Sequence, residues 1–138
     1  MANSISIQIL EDGPRNTILK FEGVLDTSDL ASTVVIDPAT LSPIDSFGNP
    51  PAQLRIDCIQ YNIEDTLSVN LFWDATTPVR IEEFVGRGVQ KDYMFGGLTN
   101  NAGAGKTGKI TATTTTTGTA ISGTNILSFS LIIKMVKQ

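Results

Sequence analysis

LSVNLFW, from Leu67 to Trp73, places Leu67, Val69, Leu71 and Trp73 at every second position, with Ser68, Asn70 and Phe72 between them. Successive side chains of an extended chain point to opposite faces, so this period of two predicts a half-buried β-strand. Asp74 then marks the exit into a turn.

The same period recurs on both sides of this stretch. Upstream, Leu54, Ile56 and Cys58 alternate with Arg55 and Asp57, and then Ile59, Tyr61 and Ile63 take over in the opposite phase. One extra residue in a strand produces such a switch, so a β-bulge is expected near Cys58. Earlier still, Ile5, Ile7 and Ile9 alternate with Ser4, Ser6 and Gln8. Leu19, Phe21, Gly23 and Leu25 oppose Lys20, Glu22 and Val24, and Val34–Ile36 closes a third run. Downstream, Val79 and Ile81 start a strand reaching about Val85, and Leu127, Phe129, Leu131, Ile133 and Met135 form one face of a long last strand. Turn residues separate the runs: Asp12-Gly13-Pro14, Phe47-Gly48-Asn49-Pro50-Pro51 at the end of a long loop from Asp37, Gly96-Gly97 and Asn100-Asn101, Thr117-Gly118 and Ser122-Gly123-Thr124-Asn125.

No window carries a sustained apolar stripe at helical spacing, and no long repeat is visible. Eight or nine short strands predict an all-β chain, residues 1–138, folded as a single-domain β-sandwich, with a jelly roll as one form of it. The threonine-rich run ITATTTTTGTAISG suits an exposed or edge strand, because threonine favours strands and its hydroxyl tolerates water. A disordered linker is the competing reading of that composition.

Composition narrows the function classes. Residues are 41% hydrophobic and 17% charged, which is a globular balance. A net charge of −4 argues against direct nucleic-acid binding, which needs a basic face. No apolar run is long enough for a membrane helix, and MANSISIQIL lacks the basic start and apolar run of a secretory signal. Synthesis in the cytoplasm is therefore expected, with no membrane partner. A single cysteine forms no internal disulfide.

Asn100–Lys109, NNAGAGKTGK, ends in the Gly-Lys-Thr of a phosphate-binding loop. That motif needs a glycine where Asn100 stands, and a helix after the threonine. A β-branched run follows instead, and without a helix no N-terminus meets the phosphates. Nucleotide binding is not expected. The segment reads as a surface loop, mobile in isolation, whose small residues allow close approach to a partner. Asn100, Asn101, Gly103, Gly105, Lys106 and Lys109 are the candidate contact residues.

Other chemistry is thin. With no histidine, no Ser–His–Asp triad, Cys–His pair or His-ligated metal can form. Catalysis, cofactor and metal are not expected. Cys58, in an apolar strand, reads as core. The acid pairs Glu11-Asp12, Glu64-Asp65 and Glu82-Glu83 lie near turns or strand ends, where solvated charge is the ordinary reading. Asp26-Thr27-Ser28-Asp29 offers oxygens for calcium but lacks the spacing of a dedicated loop. Trp73 shares its face with Leu67, Val69 and Leu71, which favours core over a sugar-stacking platform.

Two stretches look familiar together. One runs from Leu10 to Thr27, LEDGPRNTILKFEGVLDT. The other starts at Val69 with VNLFWDATT and continues through Gly86-Arg87-Gly88, then FGGLTNNAGAGKTG from Phe95, to a threonine-rich tail. As a set, from about Leu10 to Gly118, they resemble small structural proteins of tailed-bacteriophage virions. The resemblance implies a capsid decoration or cement protein on the capsid exterior. Its implied partner is the major capsid protein, and a symmetric homo-oligomer, dimer or trimer, is expected. It carries over no catalytic residues. A carbohydrate-binding or adhesion β-sandwich is the alternative, and it requires at least two of Trp73, Tyr61, Tyr93 and Phe72 exposed on one face.

Overall fold

A computed structural model describes residues 3–138. The runs become β1 (Ser4–Asp12), β2 (Asn16–Leu25), β3 (Thr33–Ile36), β4 (Leu54–Ile63), β5 (Leu67–Trp73), β6 (Val79–Phe84), β8 (Ile110–Thr116) and β9 (Leu127–Lys137), and a further short strand that no run predicted, β7 (Arg87–Gln90), lies between β6 and β8 in the chain. Two short 3-10 turns, Pro38–Thr40 and Asp92–Phe95, interrupt the connections. The strands form two antiparallel sheets, ordered β1-β2-β9-β4-β7 and β3-β8-β5-β6. From β2 onward the chain changes sheet at every connection except the β5–β6 hairpin. That is the winding of a jelly roll, with β1 added beside β2 as a ninth strand.

The period-two residues meet between the sheets. Leu19, Phe21 and Leu25 of β2, Leu131 and Ile133 of β9, and Leu67, Leu71 and Trp73 of β5 are all buried there. Phe21 and Phe129 pack with ring centroids 5.1 Å apart. Gly23 makes room for this pair: a Cβ there would lie 2.8 Å from the Phe129 ring. The core is one continuous cluster, whose burial supplies the main drive for folding.

The expected bulge is present, with the β4–β9 register shifting between Ile56 and Cys58. It changes the reading of the cysteine. Ile56 and Ile59 both point inward, which leaves Asp57 and Cys58 together on the outer side. Cys58 is therefore half-buried rather than core.

The threonine-rich run is also corrected. β8 is neither an edge strand nor a linker: it lies between β3 and β5. Two of its hydroxyls are bonded to Asp29. Thr114 Oγ1 donates to Asp29 Oδ1 at 3.2 Å and accepts from the Leu30 amide at 2.7 Å, while Thr116 Oγ1 donates to the same carboxylate oxygen at 2.7 Å. Threonine can be buried where its one polar group is satisfied.

Asp12 departs from the solvated-charge reading as well. Lys137 is buried at the end of β9, and its ammonium donates to Asp12, to the Gly13 carbonyl and to the Ser42 carbonyl. Three donors meet three acceptors, so the buried cation is fully satisfied. Ser42 in turn donates its amide and hydroxyl to Asp12. This cluster ties the β1–β2 turn, the β3–β4 loop and the last strand together.

Candidate contact surface

The strand directions gather the longest connections at one end of the sandwich. β3 runs toward that end, where Ile36 pairs with Ile110, and β4 starts from it, where Leu54 pairs with Lys137. The β3–β4 loop (37–53), the β5–β6 turn (74–78) and the segment from Lys91 to Lys109 all lie there.

These segments hold one another. The Leu98 amide donates to the Ile56 carbonyl at 2.8 Å, and the Ile56 amide returns the bond at 3.0 Å. Thr76 donates its amide to the Ala104 carbonyl at 3.1 Å, and Asp74 donates its own to the Lys109 carbonyl at 3.0 Å. The Thr107 hydroxyl donates to Asp74 Oδ2 at 2.7 Å. Gly105 has φ +78°, and a Cβ there would sit 2.1 Å from Thr76 Oγ1. Gly108 has φ +86°, and its Cβ would meet the Ala52 carbonyl at 2.2 Å. The Asn100–Lys109 loop is thus bonded to the β5–β6 turn through Ala104, Thr107 and Lys109. Its glycines permit close packing within the chain, because only glycine takes this backbone shape without strain.

The candidate contact residues therefore divide. Asn101, Gly103, Gly105 and Lys106 are exposed, and Lys109 is half-buried. Asn100 is withdrawn as a contact: it is only 8% exposed, and its Oδ1 accepts the Ala102 amide at 3.0 Å. Its Nδ2 has no partner among the described residues. After Thr107 the chain passes through Gly108 and Lys109 into strand β8, so no helix N-terminus faces the Gly-Lys-Thr.

Large apolar side chains outside the period-two runs are exposed on these connections. Phe47 is 86% exposed, Met94 76%, Phe95 67% and Tyr93 54%. Tyr93–Phe95 belong to a 3-10 turn that ends at Gly96, φ +93°. Period-two reasoning is blind to such a turn, although three consecutive large apolar residues beside Gly-Gly are a signal in themselves. Clustered exposed apolar side chains mark contact surfaces more often than isolated ones do.

Asp92 anchors the turn from below. It is fully buried, its Oδ1 accepts from Gln90 Nε2 at 2.7 Å, and its Oδ2 has no partner among the described residues. Burial pushes this carboxyl above the usual aspartate range. The Gln90 bond partly opposes the rise, and nearby Glu82 and Asp57 add to it. The folded-state pKa is thus raised. Stability is complete below the unfolded pKa and is lost as pH rises through the folded one. Asp92→Asn removes the charge and should raise the melting temperature at pH 7, with the gain shrinking as pH falls toward 4. Calorimetry at both values checks this, and a variant melting below the parent at pH 7 would contradict it.

Two shallow concavities lie on the outer face of the five-stranded sheet. One, about 550 Å³, is lined by Ser4, Ser6, Ser128, Ser130, Glu22, Glu64 and Arg87 among others. The other, about 460 Å³, includes Cys58, Gln60, Ile132 and Tyr93. Among the described residues no group of three or more Cys, Asp or Glu side chains is placed to hold a metal ion. Asp29 of the calcium candidate is engaged by Thr114 and Thr116. Of the four aromatics that sugar binding would call upon, Trp73 is buried and Tyr61 packs half-buried against Phe84, 4.9 Å between centroids. Phe72 is half-buried under Arg80, which leaves Tyr93 exposed. They do not form an exposed pair on one face.

No protein-family model matches the chain, and no curated protein matches it. Jelly rolls occur in both capsid and lectin domains, so the fold by itself chooses neither.

Proposed function

We propose that the chain is a structural protein of a tailed-phage virion that binds the capsid shell and stabilises it. The observation that carries this reading is the built end of the sandwich. Its long connections are hydrogen-bonded to one another, and Phe47, Tyr93, Met94 and Phe95 on these connections are exposed to solvent. A binding protein that performs no chemistry needs a preformed surface of this kind, because ordering a loop on contact would cost affinity. The sequence resemblance from Leu10 to Gly118 supplies the partner, the major capsid protein. Many copies around a shell would also reinforce one another, so each contact can be weak.

The test is binding to heads assembled without the protein, followed by co-sedimentation. Replacing Met94 and Phe95 together by serine should reduce occupancy at least about tenfold, as expected when two apolar anchors are lost from an interface. Circular dichroism should be unchanged, since both side chains are exposed. Equal binding by parent and variant would remove this surface from the contact.

A further inference from the structure

We propose that β1 pairs edge to edge with β1 of a second copy of this chain, antiparallel and centred on Ile7, so that two five-stranded sheets become one.

The four sheet edges are treated differently. β3 and β7 are four residues long, and β6 carries Arg80, Glu82 and Glu83. Shortness and charge are the usual protection against unwanted strand pairing. β1 has nine residues, and from Ser4 to Leu10 it carries neither a charge nor a proline. Its free side presents unprotected backbone donors and acceptors.

The apolar row of β1 is also left open. Ile7 pairs with Phe21 and Ile9 with Leu19, so both isoleucines lie on the core side of the sheet. Phe21 and Leu19 are fully buried, yet Ile7 is 43% and Ile9 44% exposed. The four-stranded sheet stops short of β1 and leaves this row overhanging. A two-fold pairing centred on Ile7 sets Ile7 beside its equivalent and Ile5 beside Ile9. The six isoleucines then extend the core across the junction.

Charge selects this register and this occupant. On the outer face Gln8 lies beside Lys20, and Ser6 beside Glu22. Pairing centred on Ile7 puts Gln8 opposite Ser6 of the second copy. Each row then reads Lys20, Gln8, Ser6, Glu22 across the junction, with opposite charges at its ends. Lys20 and Glu22 already pair within one chain at 3.6 Å, and the junction sets each pair opposite its equivalent in reversed order, three strand spacings or about 14 Å from lysine to glutamate. Centring on Gln8 would instead face Lys20 with Lys20. A β1 partner of another kind would have to reproduce this complementarity, whereas a second copy supplies it by symmetry. The inference stands independently of the virion reading, and its failure leaves that reading where it was.

Sedimentation equilibrium of the full chain over a wide concentration range tests it. The parent should form a dimer. Ile7→Lys should weaken the dimer at least about tenfold, since lysine on an edge blocks pairing. The thermal melt of that variant should show a folded monomer, because Ile7 is a half-exposed edge residue. Lys20→Glu, which gives each row like charges at both ends, should weaken the dimer, and Lys20→Glu with Glu22→Lys should restore it to within about twofold. A parent that stays monomeric, or a dimer indifferent to Ile7→Lys, overturns the proposal. A double swap that fails to restore the dimer overturns the register.

Discussion

Trp73→Ala should lower the unfolding free energy by about 3–5 kcal/mol, the range for deleting a buried aromatic from a packed core. Trp73 is 2% exposed and belongs to the central cluster. Its neighbours in the sheet are Val79 on β6 and Ile110 on β8. All three sit on strands fixed by hydrogen bonds, so the walls of the resulting cavity cannot collapse far. The melting temperature should fall by roughly 10–20 °C, given the entropy of unfolding of a chain this size. Urea unfolding followed by circular dichroism measures the cost. In the parent, the sole tryptophan should fluoresce as an indole shielded from water and shift to the red on unfolding. A loss below about 1 kcal/mol would mean that the core repacks around the missing ring.

Asp12→Ala should cost a similar amount, about 3–5 kcal/mol, for a different reason. Lys137 keeps its ammonium buried because Asp12 neutralises it while the Gly13 and Ser42 carbonyls take its remaining donors. Without the carboxylate, the two carbonyls satisfy hydrogen bonds but not charge. An uncompensated buried cation is among the most expensive defects a fold can carry. Double replacement of Asp12 and Lys137 by alanine and methionine should recover part of the loss, since an apolar pair leaves no charge to strand. The pH dependence follows from the same cluster. Burial acts to raise the Asp12 carboxyl, but the Lys137 bond, the two Ser42 bonds and the lysine charge together hold it below the ordinary value. Its folded pKa is therefore depressed. The stability it contributes is present above the unfolded pKa and is lost as pH falls through the folded one. The parent should lose stability on the acid side, in the region below about pH 4, and Asp12→Ala should show a flatter acid limb. Unchanged acid sensitivity in that variant would assign it to other carboxylates.

The period of two in Leu67–Trp73, and in its counterparts on β2, β4 and β9, determined by itself that the protein is an all-β sandwich with Trp73 in its core. Alternation is a local property, and a strand with one buried face must express it in its own residues. The bulge beside Cys58 was legible for the same reason, as a change of phase. Where each strand lies in a sheet was not legible. The threonines of β8 look suited to solvent, but the strand sits inside the sheet, and Asp29, some 85 residues away in the chain, bonds the hydroxyls of Thr114 and Thr116. Asp12 likewise reads as a solvated charge until Lys137, from the far end of the chain, meets it. Gly105 and Gly108 suggested a free loop, because glycine's lack of a side chain permits mobility and close packing alike. Thr76 and Ala52 decide between the two. The exposed Tyr93–Phe95 turn carries no period, so its role as a surface feature appeared only with the tertiary structure. In each case the deciding contact joins residues far apart in sequence, whose meeting depends on the path of the whole chain rather than on any local pattern.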